Sequence, residues 1–168
     1  TNIINQDNLT DLEYWKIFYL RGICFERTDR WNLAEQDFLH SLKIEKDSAD
    51  VLNYLAYGWL ERDINIDKAM KMLIKANKND PDNHYILDSL AWAYFKKKDF
   101  IKAAELMEEV IDMVPGEAIS LDHLGDIYFE MNRKREAVYF WRQAKDLAKP
   151  EDEIIDKIEK KLREYDAS

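Results

Sequence analysis

A 34-residue period constrains this chain more than any other feature. Pro81 and Pro115, Tyr94 and Tyr128, and Ala103 and Ala137 each stand 34 residues apart. Extending that step gives four columns. A small column reads Gly22, Ala56, Ala91, Gly125, and an aromatic column three residues later reads Phe25, Trp59, Tyr94, Tyr128. A second small column reads Ala34, Ala69, Ala103, Ala137, and a large apolar column follows at Phe38, Leu73, Met107, Trp141. Such self-similarity belongs to units that cannot bury an apolar side alone and do so by stacking. Small side chains let two helix backbones approach, and the large ones fill the hole opposite. Pro81 and Pro115 fall where a second helix must stop.

The first two columns step by 34, 35 and 34 residues and the last two by 35, 34 and 34. One residue is therefore added between the helices of the second repeat, within Glu61-Arg62-Asp63-Ile64-Asn65. A loop absorbs it, whereas inside a helix it would turn the buried face by about 100°.

The spacing predicts helix pairs over 11–27 and 31–45, 49–61 and 66–78, 84–97 and 100–113, and 117–130 and 134–147. A ninth helix is expected over 151–165. Ile154, Ile158, Leu162 and Tyr165 form its apolar stripe, with Asp152, Asp156, Glu159, Lys160, Lys161 and Arg163 around the rest. Thr10-Asp11-Leu12-Glu13 reads as a capping box, and Asp82 or Asn83 can cap the helix after Pro81. Only four Gly and three Pro are present, too few for turn-rich β architecture. Without a Pro/Gly/Ser-rich linker, the chain reads as one domain over 1–168. Residues 1–10 form a frayed remnant, repeats lie at about 15–48, 49–83, 84–117 and 118–150, and helix 151–165 closes the stack. Further repeats are expected upstream.

These columns resemble the tetratricopeptide repeat over about residues 15–150, most strongly in Leu87-Asp88-Ser89-Leu90-Ala91-Trp92-Ala93-Tyr94 and Leu121-Asp122-His123-Leu124-Gly125-Asp126-Ile127-Tyr128. They are similar to the C-terminal repeats of a group of bacterial tetratricopeptide proteins. The first repeat departs most. Arg21 stands where Leu55, Leu90 and Leu124 stand later, and Lys46 replaces the expected proline; Lys149 does so in the last repeat, beside Pro150. The resemblance implies an all-α, right-handed superhelical solenoid of four helical hairpins with a C-terminal capping helix. It also implies a concave groove lined by the first helices, mapping here to Tyr19, Asn53, Tyr54, Tyr57, Tyr85, Asp88, Ser89, Trp92, Asp122, His123 and Asp126. Aromatic side chains suit binding hot spots, and the carboxylates suit basic residues of a ligand. Tyr54 and Trp92 fit either groove lining or inter-repeat core; Asp88, Asp122 and Asp126 fit either solvated, capping or ligand-contacting roles.

Chaperone-binding members of the family hold a C-terminal carboxylate with Lys, Asn, Asn, Lys and Arg. The matching positions here are Tyr19, Ile23, Tyr54, Tyr85 and Ser89, or, one repeat on, Asn53, Tyr57, Ser89, Ile119 and His123. Neither set supplies the cations, which argues against a chaperone-tail clamp.

The net charge of −9 disfavours nucleic acid and weakens the case for anionic membrane surfaces. No apolar run approaches the roughly 20 residues of a membrane span. His40, His84 and His123 form no catalytic or zinc motif, and no glycine-rich phosphate loop or nucleophile elbow occurs. Cys24 reads as a packed core thiol. The expectation is a non-catalytic scaffold without cofactor or metal, binding a protein or peptide with basic and apolar residues in the groove. A structural spacer that self-associates through the repeat ends is the alternative. The compartment is left open, with the cytoplasm favoured over the periplasm.

Overall fold

The computed structural model of the chain describes residues 11–150 and 153–166. Among these residues all regular structure is helical. The helices are α1 (Asp11–Arg27), α2 (Trp31–Ile44), α3 (Ala49–Glu61), α4 (Ile66–Asn79), α5 (His84–Lys96), α6 (Phe100–Met113), α7 (Ala118–Glu130), α8 (Lys134–Leu147) and α9 (Ile155–Asp166). They pair as α1–α2, α3–α4, α5–α6 and α7–α8, and α9 packs on α8. The chain divides into two compact units, residues 1–81 and 82–168. We call them the N-terminal and C-terminal units.

Eight helices begin and end within one residue of the bounds the period predicts; α9 begins at Ile155 rather than at 151. The expected capping box at Thr10 lies outside the described residues. Side chains cap three other helices. Ser48 accepts from Val51 N, Asn83 from Tyr85 N and Ile86 N, and Asp99 from Lys102 N. Each satisfies backbone donors that the first turn of a helix leaves unpaired.

The hairpin turns show where the added residue went. Three turns have three residues each, with one in the left-handed region: Asp29 (φ 55°), Lys98 (φ 63°) and Asn132 (φ 61°). The next residue donates its N–H back into the first helix: Arg30 to Phe25 O (2.8 Å), Asp99 to Tyr94 O (3.0 Å), Arg133 to Tyr128 O (2.8 Å). In the second hairpin Asp63 (φ 53°) and Ile64, bonded to Trp59 O at 3.0 Å, repeat this arrangement. Asn65 then follows with its own left-handed backbone (φ 51°) before α4 starts. Asn65 is the extra residue, a type that tolerates that conformation better than most.

The columns pack as their sizes require. Ala34, Ala69, Ala103 and Ala137 are all fully buried, as are Phe38, Leu73 and Met107. A Cβ placed on Gly22 would come within 2.6 Å of the Phe38 ring, and one on Gly125 within 2.4 Å of Trp141. The two glycines therefore face the two aromatic members of the large column. Where that column holds Leu73 or Met107, the small column holds Ala56 or Ala91 instead. Each fully buried large side chain contributes roughly 1.5–3 kcal/mol by leaving water.

The first repeat carries two departures. Arg21 does not enter the core like Leu55 and its counterparts; it stays about half exposed and donates Nε and Nη2 to the two carboxylate oxygens of buried Asp37, both at 2.7 Å. Cys24, expected as a packed thiol, is exposed. Two residues past buried Gly22, it is rotated by about 200° from the face that meets α2.

Each unit also has a polar tie between successive hairpins. Trp59 Nε1 donates to Glu35 (2.6 Å) in the N-terminal unit, and the Tyr128 hydroxyl donates to Glu108 (2.5 Å) in the C-terminal one.

Candidate functional site

In the N-terminal unit the first helices of the two hairpins, α1 and α3, bring two of the expected residues, Tyr19 and Tyr54, into contact. The Tyr19 and Tyr54 rings meet edge to face, with centroids 5.5 Å apart, and both lie about 6 Å from the Phe38 ring beneath them. Tyr19 is half-buried and Tyr54 is 36% exposed. Burial, then the neighbouring Tyr54 and Asp50, push the Tyr19 hydroxyl pKa well above the usual phenol range, so it stays a neutral donor. Leu20, beside Tyr19, is 60% exposed. Asn53, the residue before Tyr54, has a buried Oδ1 with no hydrogen-bond partner. Tyr57, one turn further along α3, is half-buried. The face thus combines apolar contact area with a desolvated acceptor, and exposed Lys16 and Asp50 put both signs of charge at its margin.

The C-terminal unit uses the corresponding positions differently. Tyr85 is 59% exposed, its ring 4.0 Å from that of His84. Asp88, Ser89, Trp92, Asp122 and His123 are all buried. Asp88 accepts from the Ser120 hydroxyl (2.6 Å) and meets His123 Nδ1 at 2.9 Å. Ser89 donates to the Tyr85 carbonyl one turn back (3.0 Å). Trp92 stacks on Phe95 on one side (4.4 Å, 8°) and on His123 on the other (4.2 Å, 16°). Asp122 and Asp126 share one cation, Lys161 of α9, at 2.8 and 2.6 Å, and Asp126 also accepts from Trp141 Nε1. The positive charge that this acidic cluster was expected to draw from a ligand is, within the chain, supplied by α9.

Charge in this cluster is balanced closely. Burial alone would lower the His123 pKa, but the charge and hydrogen bond of Asp88, then Asp122 and Asp126, outweigh it and leave the imidazole raised. Burial raises Asp126 against the pull of Lys161, with Asp122 adding to the rise. Among the described residues no group of three or more His, Cys, Asp or Glu side chains is placed to hold a metal ion.

Sequence reasoning placed Lys161 among the solvated residues of α9. Its spacing carried the missed signal: it stands three residues after Ile158 and seven after Ile154, which puts it along the buried stripe. Asp37, the partner of Arg21, was missed for want of any periodic counterpart.

No family model matches the chain. The TPR repeat-containing protein PA4667 of Pseudomonas aeruginosa is 26% identical over 110 residues, covering 66% of this chain and 18% of that protein. The chain therefore spans less than a fifth of that relative's length. Among solved structures, TTC0263, a thermophilic TPR protein of Thermus thermophilus, superposes with a TM-score of 0.72 at 17% identity, covering 79% of this chain and 74% of the other. A MamA AMB-1 structure gives 0.64 at 21% identity over 79% and 78% of the two chains. The Arabidopsis OM64 TPR domain gives 0.64 at 16% identity over 70% and 97%. With four hairpins in a 34-residue register, a ninth helix packed on the last of them and these likenesses, the chain has the tetratricopeptide-repeat fold.

Proposed function

We propose that the chain is a non-catalytic adaptor whose N-terminal unit holds a peptide segment of a partner protein against Tyr19, Leu20, Asn53, Tyr54 and Tyr57. The fold supports a protein-interaction scaffold in general. The observation that carries the finer reading is the partly exposed Tyr54 ring, packed edge to face on Tyr19, with Leu20 exposed next to Tyr19 in α1. The neighbouring tyrosines and Leu20 offer apolar area at low entropic cost, and Asp50 favours a basic residue in the ligand.

Panning a displayed peptide library on the full chain tests this. Selected peptides are expected to lose about tenfold or more in affinity with Tyr54→Ala or Leu20→Ser, and Leu20→Ser, at a mostly exposed side chain, should leave the melting temperature nearly unchanged. Asp122→Asn should leave affinity as it is. Peptides that bind Tyr54→Ala and Leu20→Ser as tightly as the wild type would place the site elsewhere.

A second reading is self-association through α1, favoured by Ile17, which is 45% exposed, and by exposed Cys24 on that helix. A monomeric mass by light scattering across a hundredfold concentration range would remove it.

A further inference from the structure

The C-terminal unit carries a charge separation that the net charge of the chain hides. Helices α5 to α8 run up and down in turn, so the α5–α6 and α7–α8 turns lie at the same end of the unit. Lys96, Lys97, Lys98, Lys134 and Arg135 cluster there against Asp99 and Glu130. Asp99 caps α6, and nearby Lys102 pairs with Glu105 and Arg133 with Glu136. Amid these lysines Ile101 is 69% exposed, the most exposed large apolar side chain among the described residues. Phe129 at the same end is 37% exposed, with the Lys134 ammonium 5.8 Å from its ring. The opposite end carries Asp82, Asp112, Glu117 and Asp146.

We propose that the turn end of the C-terminal unit docks the chain on an anionic phospholipid bilayer. Ammonium and guanidinium groups meet the phosphates while Ile101 enters the boundary between headgroups and acyl chains. The acidic end does not prevent this. Helices of 13 and 14 residues hold it about 20 Å away, some two Debye lengths at physiological salt. An acidic peptide fits less well, because the cations stand on two convex turns around an outward isoleucine rather than along a groove. The corresponding turns of the N-terminal unit lack the pattern: Arg27, Arg30 and Arg62 there are offset by Glu26, Asp29, Glu61 and Asp63.

Co-sedimentation of the 168-residue chain with phosphatidylglycerol-containing vesicles, against pure phosphatidylcholine vesicles, is the test. Each cation near such a surface is worth about fivefold in partitioning, so Lys97→Glu/Lys98→Glu/Arg135→Glu should lower binding by at least about a hundredfold. Ile101→Ser should lower it by about tenfold, a loss that persists in high salt. All these residues are exposed, and circular dichroism melts check that the variants fold; Lys97→Gln/Lys98→Gln gives the same comparison without charge reversal. Equal sedimentation with both vesicle types, or unchanged binding of the charge variants, overturns the proposal. So does binding of a Glu-rich peptide through these lysines without binding to vesicles, which would make the partner an acidic protein.

Discussion

The two units use the same repeat positions in opposite ways. Asn53, Asp88 and Asp122 are equivalent residues of successive first helices, as are Tyr54, Ser89 and His123. In the N-terminal unit Asn53 keeps an acceptor without a partner and Tyr54 faces solvent. In the C-terminal unit Asp88 is held by Ser120 and His123, and Asp122 by Lys161. A position in the repeat therefore sets where a side chain stands but not what it does. The difference lies in whether the chain itself supplies the complementary group. Where it does, a nominal binding position becomes part of the stability of the fold; where it does not, as at Tyr54, the side chain keeps a solvent-facing surface.

Substitutions can break this contrast, and the largest expected effect is at Trp92. Trp92→Ala removes a buried ring stacked on two others and should cost about 3–5 kcal/mol in urea unfolding, while peptides selected for the N-terminal face keep their affinity. Loss of that binding without loss of stability would mean that Trp92 contacts ligand. Lys161→Met should cost about 2–3 kcal/mol, below the range for fully buried pairs because the lysine side chain is about one quarter exposed. A smaller loss is expected if Asp122→Asn and Asp126→Asn accompany it, and a double-mutant cycle reads the coupling. Gly125→Ala drives a methyl into Trp141 and should cost about 1–3 kcal/mol. Adding Trp141→Met, which recreates the Ala–Met pairing of the third repeat, should recover part of it; no recovery would mean the two columns do not pack as a pair.

The smallest effect is one of pH. His123 binds its proton more tightly in the folded chain than in the unfolded one, where imidazole titrates near 6.5. Its contribution is therefore complete below about 6.5 and is lost as pH rises through the higher folded value. Asp126, also raised, contributes in the same sense but in a lower window that opens above its ordinary value of 3.8. Stability of the C-terminal unit should fall as pH rises above about 6.5, and less steeply in His123→Asn. Equal slopes in the two proteins would exclude His123 as the titrating group.

Most of the fold is legible in the sequence because it is periodic. The small and large columns, the turn that holds Asn65 and the stripe Ile154–Ile158–Leu162–Tyr165 all follow from spacing, since a helix converts spacing directly into a face. Contacts made once are not periodic and do not show. Lys161 meets Asp122 from 39 residues away and Arg21 meets Asp37 from 16, and neither pair recurs in another repeat. The same holds at the candidate site. The expected groove residues stand on first helices, but exposure of Tyr54 and burial of His123 depend on single neighbours, not on the column they share. Cys24 was misjudged for a related reason: adjacency to Gly22 along the chain is not adjacency around the helix.

Amide hydrogen exchange of the full chain, with and without a peptide selected against it, addresses the central contrast most directly. Protection on binding is expected over residues 16–23 and 50–57, with 85–92 and 119–126 unchanged. Protection confined to the latter segments, with the N-terminal helices unaffected, would contradict it.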